Sequence, residues 1–186
     1  MKVSILIGVV VILIGATVCT SLVGAQQSSL KANSLIIGMW KQNMEKSTYS
    51  PGPPPPKGTF AVRQYVAGED GSVVAVTMNV DAQGLPSLNA VAAANYDGKE
   101  YVQYTLATLA TQLGSHISPR IDRTISYKLL DASTVQIVQK QDDRIVTISI
   151  RTISVNGRTM TEQQDFTAPE GQRVRNVLVF EKQSDW

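Results

Sequence analysis

The chain is predicted to be all-β, an antiparallel up-and-down meander, and three observations carry that prediction. Short β-type runs alternate with turn signals from Thr59 to the C-terminus: Glu69-Asp70-Gly71, Asp81-Ala82-Gln83-Gly84, Asp97-Gly98, Asp142-Asp143, Asn156-Gly157 and Glu170-Gly171. Asp-Gly and Asn-Gly accept the positive φ that tight hairpins need. Two runs alternate in period two: Val74, Val76, Met78 and Val80 oppose Ala75, Thr77 and Asn79, and Val146, Ile148 and Ile150 oppose Thr147, Ser149 and Arg151. Such alternation means one buried and one wetted face. Most gaps between runs are also too short for the crossover helix that parallel strands require.

The elements follow in order. Lys2 precedes Val3 to Val18, which has almost no polar residue, and Val23-Gly24-Ala25 then offers the small-residue pattern of a signal-peptidase cut. Residues 1–25 are therefore expected to be a signal peptide cut after Ala25, and the protein is expected to be secreted or periplasmic. The alternative is a retained anchor, which needs about 20 apolar residues, somewhat more than this run has. Residues 26–58 form an N-terminal arm, a first packed element at Leu35–Trp40 and a proline strap. Trp40, one of only two tryptophans, is expected to plug a core, as a large aromatic beside glycine does. Pro51-Gly52-Pro53-Pro54-Pro55-Pro56 lacks N–H donors and has fixed φ, so it reads as a polyproline II connection. Residues 59–186 supply eight strands: Thr59–Ala67, Ser72–Val80, Ser87–Tyr96, Thr124–Leu130, Thr134–Gln139, Arg144–Ser154, Thr159–Phe166 and Arg175–Lys182. Tyr101–Leu113 mixes helical spacing (Leu106, Leu109, Leu113) with strand formers (Tyr104, Thr105, Thr108). It reads as a strand running into a short helix or lid.

The order of several short motifs resembles a group of small secreted bacterial lipocalin-like proteins. The motifs are Gly38-Met39-Trp40-Lys41-Gln42-Asn43, Tyr49-Ser50-Pro51-Gly52-Pro53, Tyr96-Asp97-Gly98-Lys99-Glu100-Tyr101, Asn156-Gly157-Arg158-Thr159-Met160-Thr161 and Val179-Phe180-Glu181-Lys182. The resemblance implies a lipocalin-like barrel of about eight strands. It carries no activity with it. It also implies a basic residue stacked on Trp40, for which Arg173 and Arg175 are the candidates.

Composition excludes several classes. The single cysteine is Cys19, inside the leader, so the remainder has no disulfide, thiol nucleophile or thiolate metal site. The formal net charge is +2 over 186 residues, and no Lys/Arg cluster marks a nucleic-acid track. His116 is the only histidine, and a base without an orienting partner and a nucleophile is no catalytic set. No enzyme, cofactor or metal is expected. Membrane contact is expected only through the N-terminal segment, and the protein is expected to be a monomer. Two readings remain. One is a barrel for a small apolar ligand, since an eight-stranded barrel holds side chains or one small molecule. The other is a filled structural or interaction module of the cell envelope. Taking the aliphatic faces as inward, the expected ligand contacts are Trp40, Val76, Met78, Tyr104, Leu106, Leu109 and Ile148, with Leu106–Ile117 as the gate. Ala75, Ala90, Ala92 and Ala94, also taken as inward, either leave space or pack beneath that segment.

Overall fold

The protein is described here from a computed structural model, in which residues 34–105, 123–168 and 170–184 are described. The expected leader and the expected gate at Leu106–Ile117, with His116, lie outside those residues.

Eleven strands follow one another: β1 (Gly38–Gln42), β2 (Thr48–Ser50), β3 (Phe60–Ala67), β4 (Val73–Val80), β5 (Pro86–Ala94), β6 (Asp97–Thr105), β7 (Arg123–Leu129), β8 (Thr134–Gln141), β9 (Arg144–Ile153), β10 (Thr159–Thr167) and β11 (Arg173–Lys182). Each pairs with the next from β3 to β11, and β1 joins β3 to β11. The meander thus closes into a ten-strand ring, with every pairing antiparallel. The count exceeds the expected eight because the packed element around Trp40 and the mixed segment before Thr105 both enter the ring. β2 continues β1 along the same partner. Gln42 faces Phe180 and Thr48 faces Val177, with the chain looping out between them.

The turn signals act as their chemistry dictates. At the β8–β9 turn Asp142 and Asp143 take φ of 48° and 61°, the left-handed pair of a two-residue hairpin, which Asp tolerates better than most residues. Asp81 Oδ1 accepts from the amides of Gln83 and Leu85 and shapes the β4–β5 turn. One signal does two things. Asp97-Gly98 is the midpoint of the β5–β6 reversal, since Ala90 faces Thr105 and Ala92 faces Gln103, and it also opens the pairing of β6 with β7, where Gly98 at φ 79° accompanies a register shift between Asp97 and Glu100. A left-handed glycine serves a tight turn and a bulge alike.

One end of the ring is plugged. Trp40 is fully buried, among Ile36, Tyr65, Met160 and Phe180. Its Nε1 donates to the carbonyl of Ile36 at 2.7 Å, within a helical turn at residues 34–36. The stacked base is Lys182, not Arg173 or Arg175. Lys182 is the cross-strand partner of Trp40, its Nζ lies 5.4 Å from the ring centroid, and it donates to Leu35 O at 3.3 Å. Arg175 instead pairs with Asp165 at 2.7 Å. Gly38 explains the spacing of the motif. Its φ is +126°, a conformation that residues with a side chain rarely adopt, and Lys182 Cε lies 2.8 Å from where a Cβ would stand, so the lysine lies directly over the glycine on its way to the indole.

Trp40→Ala is expected to destabilise the protein by about 3–5 kcal/mol, the range for a large buried aromatic. Urea unfolding measures this, and a midpoint near that of the wild type would place Trp40 outside the core.

Candidate functional site

Above the plug the interior is not the aliphatic lining that alternation suggested. On β4 the buried positions are Val73 and Ala75, and on β9 they are Ser149, Arg151 and Ile153. Val76 stands on the opposite face of β4, and Ile148 is on the outside of the ring, 39 % exposed beside Val146 at 41 %. The alternation marks two different faces but not which one turns inward. Val and Ile favour strands through their stiff β-branched side chains whether or not they are buried. The inward faces instead carry small, polar and charged residues.

Three charged side chains meet inside. Glu162 on β10 is the direct cross-strand partner of Arg151 on β9. Its Oε2 accepts from Arg151 Nε at 3.3 Å and from Arg63 Nη1, reaching in from β3. Its Oε1 accepts from Gln164 Nε2 at 2.8 Å. Both guanidiniums are also held by rings. Arg63 lies 4.5 Å from the Phe180 centroid, and Arg151 lies 5.0 Å from Tyr65 and 5.6 Å from Tyr127. Relative exposures of 3 % for both Arg151 and Glu162 mean that these are true interior charges. A buried charge is tolerated only when paired and hydrogen-bonded.

The electrostatics follow from this packing. Burial alone would raise the Glu162 carboxyl, but the guanidiniums of Arg63 and Arg151 outweigh it and take it from 4.5 down to about 2. Burial would likewise lower Arg151, and the surrounding tyrosines with Glu162 reverse that and raise it. Burial pushes the Tyr96 phenol up to about 12, with Arg151 pulling the other way, and raises Tyr127 in the same manner. Near neutral pH, then, the cluster is two cations and one anion among neutral phenols.

The cluster borders a cavity of about 230 Å³. Its inner wall is Tyr65, Tyr127, Arg63, Arg151 and Glu162, and Ala75, Ala90 and Ala92 leave the room. Ile125, Ile137 and Leu178 give an apolar side. Toward the end that carries the β4–β5 and β8–β9 turns stand amides: Asn79, Asn89, Gln103, Gln139 and Gln164. Gln139 Nε2 donates to Gln103 Oε1 at 3.2 Å. Two atoms of the lining residues, Tyr65 Oη and Arg151 Nη1, are sealed from the cavity and from solvent and have no hydrogen-bond partner among the described residues. Among the described residues no group of three or more His, Cys, Asp or Glu is placed to hold a metal ion.

Of the residues expected from sequence, Met78 lines this cavity. A register shift between Thr77 and Met78 brings it in beside Thr77. Trp40 belongs to the plug below. Tyr104 is half-buried on β6 opposite Val91, next to the cavity-lining Gln103. Val76 and Ile148 lie off the cavity wall, and Leu106 and Leu109 are outside the described residues. Sequence reasoning missed Arg63, Arg151, Glu162, Tyr65 and Tyr127. One signal was present: each charge is a lone ionic residue two positions from core residues, Arg63 between Ala61 and Tyr65, Arg151 before Ile153, Glu162 after Met160.

No protein-family model matches the chain, and no curated protein matches it. The proposed kinship with small bacterial proteins therefore finds no support there. Among solved structures the chain is similar to the fluorescent protein UnaG, at 13% identity and a TM-score of 0.49 over 81% of this chain and 98% of that one. It is also similar to EF1p2_mFAP2b bound to DFHBI, at 10% identity and a TM-score of 0.45 over 83% of this chain and 99% of that one. Both likenesses are faint, and the site is described from this chain's own residues.

Glu162 supplies a pH test. Its folded pKa of about 2 lies below the ordinary 4.5. Its stabilising contribution is therefore complete above the unfolded pKa and is lost as pH falls toward the folded one. Glu162→Gln leaves two buried guanidiniums without their anion and is expected to cost about 3–5 kcal/mol near neutral pH. The gap between wild type and variant should narrow as pH falls from about 5 to 2. A gap constant across that window, measured by urea unfolding, would mean that Glu162 does not titrate as an interior ion.

Proposed function

We propose that this chain is a binding barrel for one compact small molecule, seated in the interior cavity. The observation that carries the reading is the cavity itself, a space of about 230 Å³ inside the ring with polar and charged residues among those that line it. A ten-strand ring used only as a structural module can fill itself with side chains, as small barrels do. Here alanines at positions 75, 90 and 92 keep the space open. The volume is somewhat below the usual pocket range of about 300–1,000 Å³, so the ligand is small.

The wall also revises the ligand's character. A purely apolar molecule would leave buried donors unpaired, which costs about 1–3 kcal/mol each. The ligand is therefore a polar molecule with an apolar part, the latter against Ile125, Ile137 and the tyrosine rings. The role is binding rather than catalysis. Glu162 is held ionised by two arginines, so it has no proton to exchange near neutral pH, and a general acid or base needs a pKa near the working pH. We place this barrel outside the cytoplasm, because the apolar run before Val23-Gly24-Ala25 has the form of a cleaved leader. Exported protein should have the intact mass of a chain starting at Gln26, and a mass that retains residues 1–25 would contradict this.

Ala90→Leu is the direct test of the cavity. Ala90 is 6 % exposed and lines it, so a leucine fills ligand space at an overpacking cost of about 1–3 kcal/mol. Native mass spectrometry of the wild type should show a co-purifying small molecule, and Ala90→Leu should lose it while remaining folded. Bare protein from the wild type, together with no melting shift from any member of a small-molecule panel, would favour the filled module.

A further inference from the structure

We infer that the polar head of the ligand is neutral and carries an N–H donor and a carbonyl acceptor on separate atoms, as a carboxamide, lactam or urea does, and that Gln103, Gln139 and Gln164 receive it. The inference deepens the binding-barrel reading and rests on it. The three glutamines come from β6, β8 and β10 and line the same cavity. Gln103 is 7 % exposed, Gln139 and Gln164 are half-buried, and Asn79 and Asn89 are exposed at the rim.

The first support is donor and acceptor accounting. Gln164 Nε2 donates to Glu162 Oε1 at 2.8 Å. An ionised carboxylate only accepts, so the N–H side of the Gln164 amide is committed to Glu162 and its carbonyl oxygen is left for another donor. Gln139 Nε2 donates to Gln103 Oε1 at 3.2 Å. That bond leaves Gln103 Nε2 as a donor and Gln139 Oε1 as an acceptor. These three atoms have no hydrogen-bond partner among the described residues, and none of them is sealed as Tyr65 Oη and Arg151 Nη1 are. They stay within reach of a molecule in the cavity. The second support is preorganisation. Each glutamine is already tied at one end of its amide, so little side-chain freedom is lost when a ligand meets the other end.

The same features select against other heads. Among the described residues lining the cavity only Arg63, Arg151 and Glu162 are ionic. A cationic head would meet two guanidiniums against one carboxylate and, having only donors, would leave Gln103 Nε2 unmatched. An anionic head has only acceptors, so its oxygens would oppose Gln139 Oε1 and Gln164 Oε1, with Glu162 beside the latter. A buried polar group left unmatched keeps its desolvation penalty. A hydroxyl donates and accepts through one atom, whereas β7, β8 and β9 separate Gln103 from Gln164 around the ring. An amide divides the two functions between two atoms.

The test is isothermal titration calorimetry at neutral pH with two sets of probes of matched shape. One is benzamide, benzoate, benzamidinium and benzyl alcohol; the other is hexanamide, hexanoate, hexanamidinium and hexanol. In at least one set the amide should bind about ten-fold or more tightly than each of its three counterparts, the penalty of one unmatched buried group. Gln103→Met removes the open donor with little change of volume and should weaken that amide several-fold. Gln164→Met removes an opposing oxygen, so it should weaken the amide and narrow the gap between amide and acid, which a merely structural residue would not do. Circular dichroism reports whether each variant folds, and the wild-type ranking decides the inference if neither does. An acid, amidinium or alcohol that binds as tightly as its amide in both sets would overturn the amide head and leave the binding barrel standing. No binding by any probe would also overturn it, and the mass of the wild-type protein as purified then decides the barrel reading separately. Folded Gln103→Met and Gln164→Met with unchanged amide affinity would overturn the glutamines as its receptor.

Discussion

Three charges share the interior of this barrel, and their need for partners governs what surrounds them. Glu162 sits directly across from Arg151, and Arg63 enters from β3 to meet the same oxygen. Removing any one exposes the others to a medium that solvates ions poorly. The aromatic rings of Tyr65, Tyr127 and Phe180 pack against the guanidiniums and give partial compensation that aliphatic walls could not. The cluster also divides the interior. Below it the plug of Ile36, Trp40, Met160 and Phe180 is closed and apolar. Above it the alanines and amides leave open space.

The plug has its own logic, written in one strand pairing. Register between β1 and β11 sets Trp40 against Lys182. Gly38, two residues earlier, provides the gap through which the lysine passes. The lysine then reaches both the indole and the Leu35 carbonyl, while the indole N–H holds Ile36. One glycine, one tryptophan and one lysine thereby tie the start of the domain to its last strand and close the ring. Closure matters for the site because it fixes Arg63, whose cross-strand neighbour is Trp40 itself.

The architecture was largely legible because its determinants are local. Asp-Gly and Asn-Gly sites reverse the chain at nearly every predicted position, and antiparallel order follows from the reversals. Asp97-Gly98 is one of them, the midpoint of the β5–β6 register, although its left-handed glycine also sits at an irregularity in the pairing with β7. The site was far less legible because facing is a global property. Val74 and Val76 alternate with Ala75 and Thr77 whichever face is inside. Only the closure of the ring decides that Ala75, Ser149 and Arg151 turn inward and Ile148 outward. The partners of Arg151 come from β3, β7 and β10, and no spacing within one strand announces such a meeting. The small residues were the better guide. Ala75, Ala90, Ala92 and Ala94 are all buried, and the first three mark where the barrel keeps room.

The central claim is that the polar face of β9 is the inner one, and paired cysteine labelling tests it most directly. A chain beginning at Gln26 has no cysteine of its own, so Ile148→Cys and Ser149→Cys each place one thiol on neighbouring residues of opposite faces. In folded protein a water-soluble maleimide should react quickly at position 148 and slowly at position 149, the two rates converging once the chain is unfolded. Rapid reaction at 149 with protection at 148 would put the aliphatic face inside and contradict the account of the cavity built on Arg151.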